Sequence, residues 1–156
     1  MNIYPIDVIE LFLKYGADPN GFDIHKITPI IYSSEYNPDT NVIKLLLDYN
    51  ANINHRDIHG NTALMTTPYI QITEFLLNNG AYVDYKDING NTELMNCITP
   101  NGEFINILIL LLRYNPNPYI KNNDGYTALD IAIEYNNIEI IEILKDYMFG
   151  YAYSPN

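Results

Sequence analysis

Residues 56–65 read RDIHGNTALM, and residues 86–95 read KDINGNTELM. A catalytic motif seldom needs a near-copy in so short a chain, but a structural unit that stacks on itself does. Weaker versions stand at residues 22–31, FDIHKITPII, and 121–130, KNNDGYTALD. The shared threonines are Thr28, Thr62, Thr92 and Thr127, separated by 34, 30 and 35 residues. A second series, anchored at Gly16, Asn50, Gly80 and Asn115, has the same increments, and each anchor lies 12 residues before the next threonine. One half of the unit is therefore fixed in length, and the other half absorbs every insertion.

The residue types fit a helix pair. Threonine suits a helix N-cap because its hydroxyl can satisfy an orphan N–H of the first turn. Pro29, directly after Thr28, suits the first helical position. A longer apolar segment follows in each unit, such as VIKLLLDYN or ITEFLLNNG, with Leu and Ile at helical spacing. Each such segment runs into Gly or Asn, the residues that tolerate the left-handed conformation just past a helix end. The constant segment carries polar turn residues and a glycine two before the threonine (Gly60, Gly90, Gly125), which reads as a tight hairpin-like connector. Helices are predicted at about 6–15, 29–35, 41–48, 63–67, 69–78, 93–98, 103–113, 127–135 and 138–148.

DIHGNTALM with LLLDYNANIN, and DINGNTELM with FLLNNGAYVD, resemble the ankyrin repeat over nearly the whole chain. The resemblance implies an all-α solenoid of stacked helix-turn-helix units joined by hairpin-like connectors. Departures from the family pattern are local. Lys26 replaces the turn glycine, and Ile31, Met65, Met95 and Asp130 stand where the family has histidine, so the polar bonding that histidine supplies is not expected in its usual form. The repeats divide the chain into a partial unit, 1–22, three full units, 23–54, 55–84 and 85–119, and a last unit with tail, 120–156, expected to form one elongated domain.

Composition narrows the partners. A formal net charge of −11, with eight Lys plus Arg, disfavours nucleic acid and anionic membrane and suits a basic or apolar protein surface. The run INILILLL at 105–112 is too short to span a bilayer. MNIYPIDVIELFL has acids within its apolar run and does not resemble a secretion signal, and a single cysteine fits a reducing compartment, so a cytoplasmic location is expected. Abundant Tyr, Asn and Ile with no Trp, together with the degenerate repeats, resemble the ankyrin-repeat proteins of large DNA viruses, which implies the host cytoplasm.

The chemistry-bearing residues have structural readings. Cys97 stands five after Thr92, where the other units have Ser33, Thr67 and Ala132, so it is expected to be a buried packing thiol and not a nucleophile. His55, Asp57 and His59 fall in a connector without a further strong ligand, and no metal site is expected. Glu139 and Glu142 read as a solvated helix face. No phosphate loop or serine-nucleophile motif occurs, so neither enzymatic activity nor a cofactor is expected. Asn20 and Asn54 occupy positions that are sometimes hydroxylated in the family; an amide that orders the connector is the plainer reading.

The resemblance implies a protein-interaction module that presents connector tips and first helices as a concave surface. The expected partner-binding residues are Ile24, His25 and Ile27, then Ile58, His59 and Asn61, then Ile88, Asn89 and Asn91, and finally Asn123, Asp124 and Tyr126. The three isoleucines either form an exposed ridge or pack on one another. Two alternatives stay open. One is self-association through apolar terminal helices, with Val8 and Ile140 facing outward. The other, a substrate receptor of a ubiquitin ligase, would need more than the short tail FGYAYSPN for an F-box-like segment.

Overall fold

The computed structural model describes residues 6–150; residues 1–5, at the start of the partial repeat, and 151–156, most of the short tail, lie outside the described residues. The chain divides into two compact units, residues 1–81 and 82–156. The first holds α1 (Ile6–Lys14), α2 (Pro29–Tyr36), α3 (Thr40–Asp48), α4 (Ala63–Thr66) and α5 (Ile70–Asn78). The second holds α6 (Glu93–Asn96), α7 (Ile105–Leu112), α8 (Ala128–Glu134) and α9 (Ile138–Met148). The described residues contain no strand, and the fold is all-α.

Each unit is two layers of helices. In the first, α2 packs on α4 in one layer, while α1, α3 and α5 pack in series in the other. In the second, α6 packs on α8, and α7 on α9. Ile43, Leu46, Leu64, Ile72 and Leu76 fill the first core, and Leu94, Leu108, Leu111, Ile140 and Leu144 fill the second. Each such buried side chain contributes about 1.5–3 kcal/mol relative to exposure.

The second-helix ends confirm the local reading. Gly16, Asn50, Gly80 and Asn115 all have positive φ, at 90°, 66°, 90° and 53°. The next N–H then reaches back across the last turn: Ala17 to the Phe12 carbonyl, Ala51 to Leu46 and Ala81 to Leu76, at 2.9–3.0 Å. This bond satisfies a carbonyl that the helix end leaves open. Pro116 has no N–H, so the fourth end cannot form it.

The threonine caps correct the sequence reading. Thr28, Thr62 and Thr92 hold the N-cap position with extended backbone, but their side chains make no capping bond. At Thr62 and Thr92 the third-residue amide is taken instead by the threonine's own carbonyl: Met65 and Met95 N–H each donate to it at 2.9 Å. Only Thr127 forms a capping box. Its hydroxyl accepts from the Asp130 N–H and donates to the Asp130 carboxylate at 2.7 Å, and its N–H donates to the same carboxylate at 2.9 Å; this backbone bond first, with the hydroxyl's, holds that carboxyl below its ordinary range. Where Ile31 and Met65 stand in place of Asp130, the hydroxyls of Thr28 and Thr62 are buried without a partner.

This contrast predicts opposite signs for one substitution. Thr62→Val removes a buried, unpaired hydroxyl and is expected to stabilise the fold by about 1 kcal/mol. Thr127→Val breaks the capping box and is expected to cost about 1 kcal/mol. Denaturant midpoints moving in the same direction would remove this account.

Candidate functional site

Each connector tip is built around one side chain. Asp23 accepts hydrogen bonds from the N–H groups of His25 and Ile27, and Asp57 from those of His59 and Asn61. Asp87 accepts from Asn89 and Asn91, and Asn122 from Asp124 and Tyr126. All eight bonds are 2.8–3.1 Å long. The anchor N–H bonds back to the carbonyl four residues on, closing the hairpin. These anchors were missing from the predicted site, although a recurring Asp or Asn five before each threonine was the signal for them.

The turn residue two before each threonine has positive φ. It is glycine in three tips and Lys26, at 58°, in the first. Gly90 is required twice over, because a Cβ there would also run into Asn123.

Neighbouring tips are tied within each unit. In the first, the Ile58 N–H donates to the His25 carbonyl at 3.0 Å. In the second, the Asn123 N–H donates to Asn89, its amide donates to the Ile88 carbonyl, and the Asn122 amide donates to Asn91 Oδ1, all at 2.9 Å. The tip isoleucines face water on this fixed backbone: Ile24 is 89%, Ile58 43% and Ile88 63% exposed. His25, His59, Asn89, Asn123, Asp124 and Tyr126 are also exposed, while Ile27, Asn61 and Asn91 are half-buried.

In the second unit the tips and first helices enclose an open groove of about 390 Å³. Of the predicted residues, Asn91, Asp124 and Tyr126 line it, joined by Ile131, Glu134 and Tyr135 of α8 and its end. In the first unit, Ile27 lines an apolar hollow of about 700 Å³ beside α2, with Ile9, Phe22 and Tyr32.

The remaining candidates have structural partners. His55 stacks on Phe22, with ring centroids 5.8 Å apart, and its Nε2 lies 3.1 Å from the Lys26 carbonyl oxygen. Asn20 bridges two connectors, donating to the Asn50 carbonyl and accepting from the Asn52 N–H. Asn54 donates to the Gly80 carbonyl. These bonds are the connector-ordering role expected of both amides. Cys97 is 2% exposed, and burial raises its thiol pKa well above the ordinary value, as expected of a packing residue.

Beside Cys97 lies a carboxyl that the sequence reading did not single out. Glu93, 5% exposed, is pushed up to about 8 by burial, against the lowering effect of its hydrogen bonds. The Cys97 thiol donates to Glu93 Oε1 at 3.3 Å, and Oε2 has no partner. The signal was in the repeat column: Pro29, Ala63 and Ala128 occupy the equivalent position.

Repeated helix pairs carrying rigid, side-chain-anchored tips define a scaffold for interaction. The family model for ankyrin repeats (three copies) matches residues 2–87 and 67–152. The chain belongs to the ankyrin-repeat family, a family of protein-interaction modules. It is 33% identical over 161 residues to an ankyrin repeat protein of fowlpox virus (strain NVSL). That match covers 96% of this chain and 46% of the relative, so the chain spans a little under half of the relative's length. No helix among the described residues is long and apolar enough to cross a membrane.

Proposed function

We propose that this chain is a viral protein-binding module that engages a host protein in the cytoplasm through its connector tips and first-helix faces. The observation that carries the reading is the exposure of Ile24, Ile58 and Ile88 on hydrogen-bonded tips. Apolar side chains held in water on a fixed backbone lose little freedom when a partner covers them. The adjacent His25, His59 and Asn89 offer hydrogen-bonding groups. The net charge of −11 favours a partner with a basic or apolar surface. The fowlpox relative supports the viral setting. The role is binding, with no catalytic step assigned.

The double variant Ile58→Asp, Ile88→Asp tests this. Capture of partner from host lysate should be lost, while circular dichroism is unchanged and the melting temperature stays within a few degrees, as for ordinary surface changes. A folded double variant that still captures the same partner places the site elsewhere, and an unfolded one makes these residues part of the core. Ligase subunits recovered with the native chain, and lost with the variant, would specify the role as a ubiquitin-ligase substrate receptor.

A second reading rests on α1. Val8, Leu11, Phe12 and Tyr15 are exposed at spacings that put them on one helix face. A second copy covering that stripe would make the chain self-associate. Light scattering at rising concentration tests this: Phe12→Glu should return an associating species to monomer mass, and a native chain that stays monomeric removes the reading.

A further inference from the structure

We infer that the groove of the second unit receives an arginine side chain of the protein partner. The inference rests on the tip-and-helix reading above and names the chemistry of one part of that surface. Two carboxylates, Asp124 on the last tip and Glu134 at the end of α8, line the groove together with the rings of Tyr126 and Tyr135. No lysine or arginine lines it, and neither carboxylate pairs with a basic side chain among the described residues.

The backbone of the walls is held before any ligand arrives. Asn122 holds the backbone of Asp124 and Tyr126 by two bonds of 3.0–3.1 Å, and its amide donates to Asn91, which also lines the groove. Tyr135 continues the helical ladder through its N–H to the Ile131 carbonyl at 3.0 Å. The backbone on this side of a complex therefore needs little further ordering, and the cost that remains is that of the exposed side chains.

The combination selects among ligands. Two unpaired carboxylates exclude an anion. Tyrosine rings beside them suit a flat cation, which can lie against a ring while its N–H groups point at carboxylate oxygens. A guanidinium has that shape; an ammonium is a compact, strongly hydrated point charge that uses the ring faces less well. Comparison with the first unit sharpens this. Glu35 and Tyr36 on α2 stand at the same distances from Thr28 as Glu134 and Tyr135 from Thr127. The tip position matching Asp124 is His25 there, so the paired carboxylates belong to the last repeat alone.

The test uses the whole chain and three blocked pentapeptides: Gly-Ser-Arg-Ser-Gly, and the same peptide with citrulline or lysine in the centre. The arginine peptide is expected to move the backbone amide resonances of Tyr126, Ile131 and Tyr135 in a saturable way. The citrulline peptide, which keeps the shape without the charge, should move none of them. Asp124→Asn and Glu134→Gln should each weaken the arginine peptide about fivefold, the scale of an exposed ion pair, and Glu35→Gln should have no effect. Equal response to citrulline, equal affinity for lysine, or shifts spread over every acidic surface would overturn the inference. Failure here with capture still lost in the Ile58→Asp, Ile88→Asp variant removes only the arginine site. A folded tip variant that still captures partner while the arginine peptide binds removes only the tip reading.

Discussion

Glu93→Gln is expected to stabilise this protein by about 3 kcal/mol at pH 7. The native carboxyl is pushed up to about 8, whereas its ordinary value is 4.5. Between these values the native chain retains a proton that the unfolded chain has released. This group's contribution is therefore largest below pH 4.5, falls as pH rises, and levels off above about 8. Glutamine has the same shape and no charge to desolvate, so the variant should lose this slope. Denaturant titrations should give nearly equal stabilities at about pH 4 and a gap on the order of 5 kcal/mol at about pH 9. Native and variant curves that run parallel across this range would mean that Glu93 ionises freely in the fold. The neighbouring Cys97 thiol donates to Glu93 Oε1, so Cys97→Ala should leave the slope in place with its midpoint moved only slightly.

Ile140→Glu is expected to cost at least about 4 kcal/mol, the scale of an unpaired charge forced into a core. The sequence reading placed Ile140 with Val8 on an outward apolar end. The structure corrects this: Ile140 is fully buried and Val8 is 44% exposed. The correction follows from packing, because α9 lies against both α7 and α8 and Ile140 is on the face that meets them. Val8→Glu should change stability by no more than about 0.5 kcal/mol. Thermal melts of the two variants separate these outcomes, and an Ile140→Glu protein that melts like the native chain would put that residue at the surface.

Much of this protein was legible in its residues because the deciding interactions are local. A second helix stops where Asn50 or Gly80 can take positive φ, and that preference belongs to the residue itself. The hairpin tips form because Asp57 or Asn122 can reach the N–H groups two and four residues on, a bond available to any chain with that spacing. The helix bounds and the connector lengths follow from such short-range rules; whether Ile24, Ile58 and Ile88 face water or one another does not, and the structure supplies their exposure. Cys97 was placed correctly by comparing it with Ser33, Thr67 and Ala132, since a column of small residues marks close helix packing.

Other properties came only from the tertiary structure. Thr127 bonds the nearby Asp130, a local pairing, but that the hydroxyls of Thr28 and Thr62 are shut away from water with no partner is a result of the packing around them. Glu93 reads as an ordinary helix-start carboxylate until the fold takes it out of water. The groove of the second unit joins residues from two connectors and α8, brought together by stacking. By itself the sequence determined where each repeat turns and stops, since backbone preference and side-chain-to-backbone bonds act within a few residues. Which hydroxyls are orphaned, which carboxyl keeps its proton and which isoleucine faces water were decided by the stack, because burial and desolvation depend on neighbours a full repeat away.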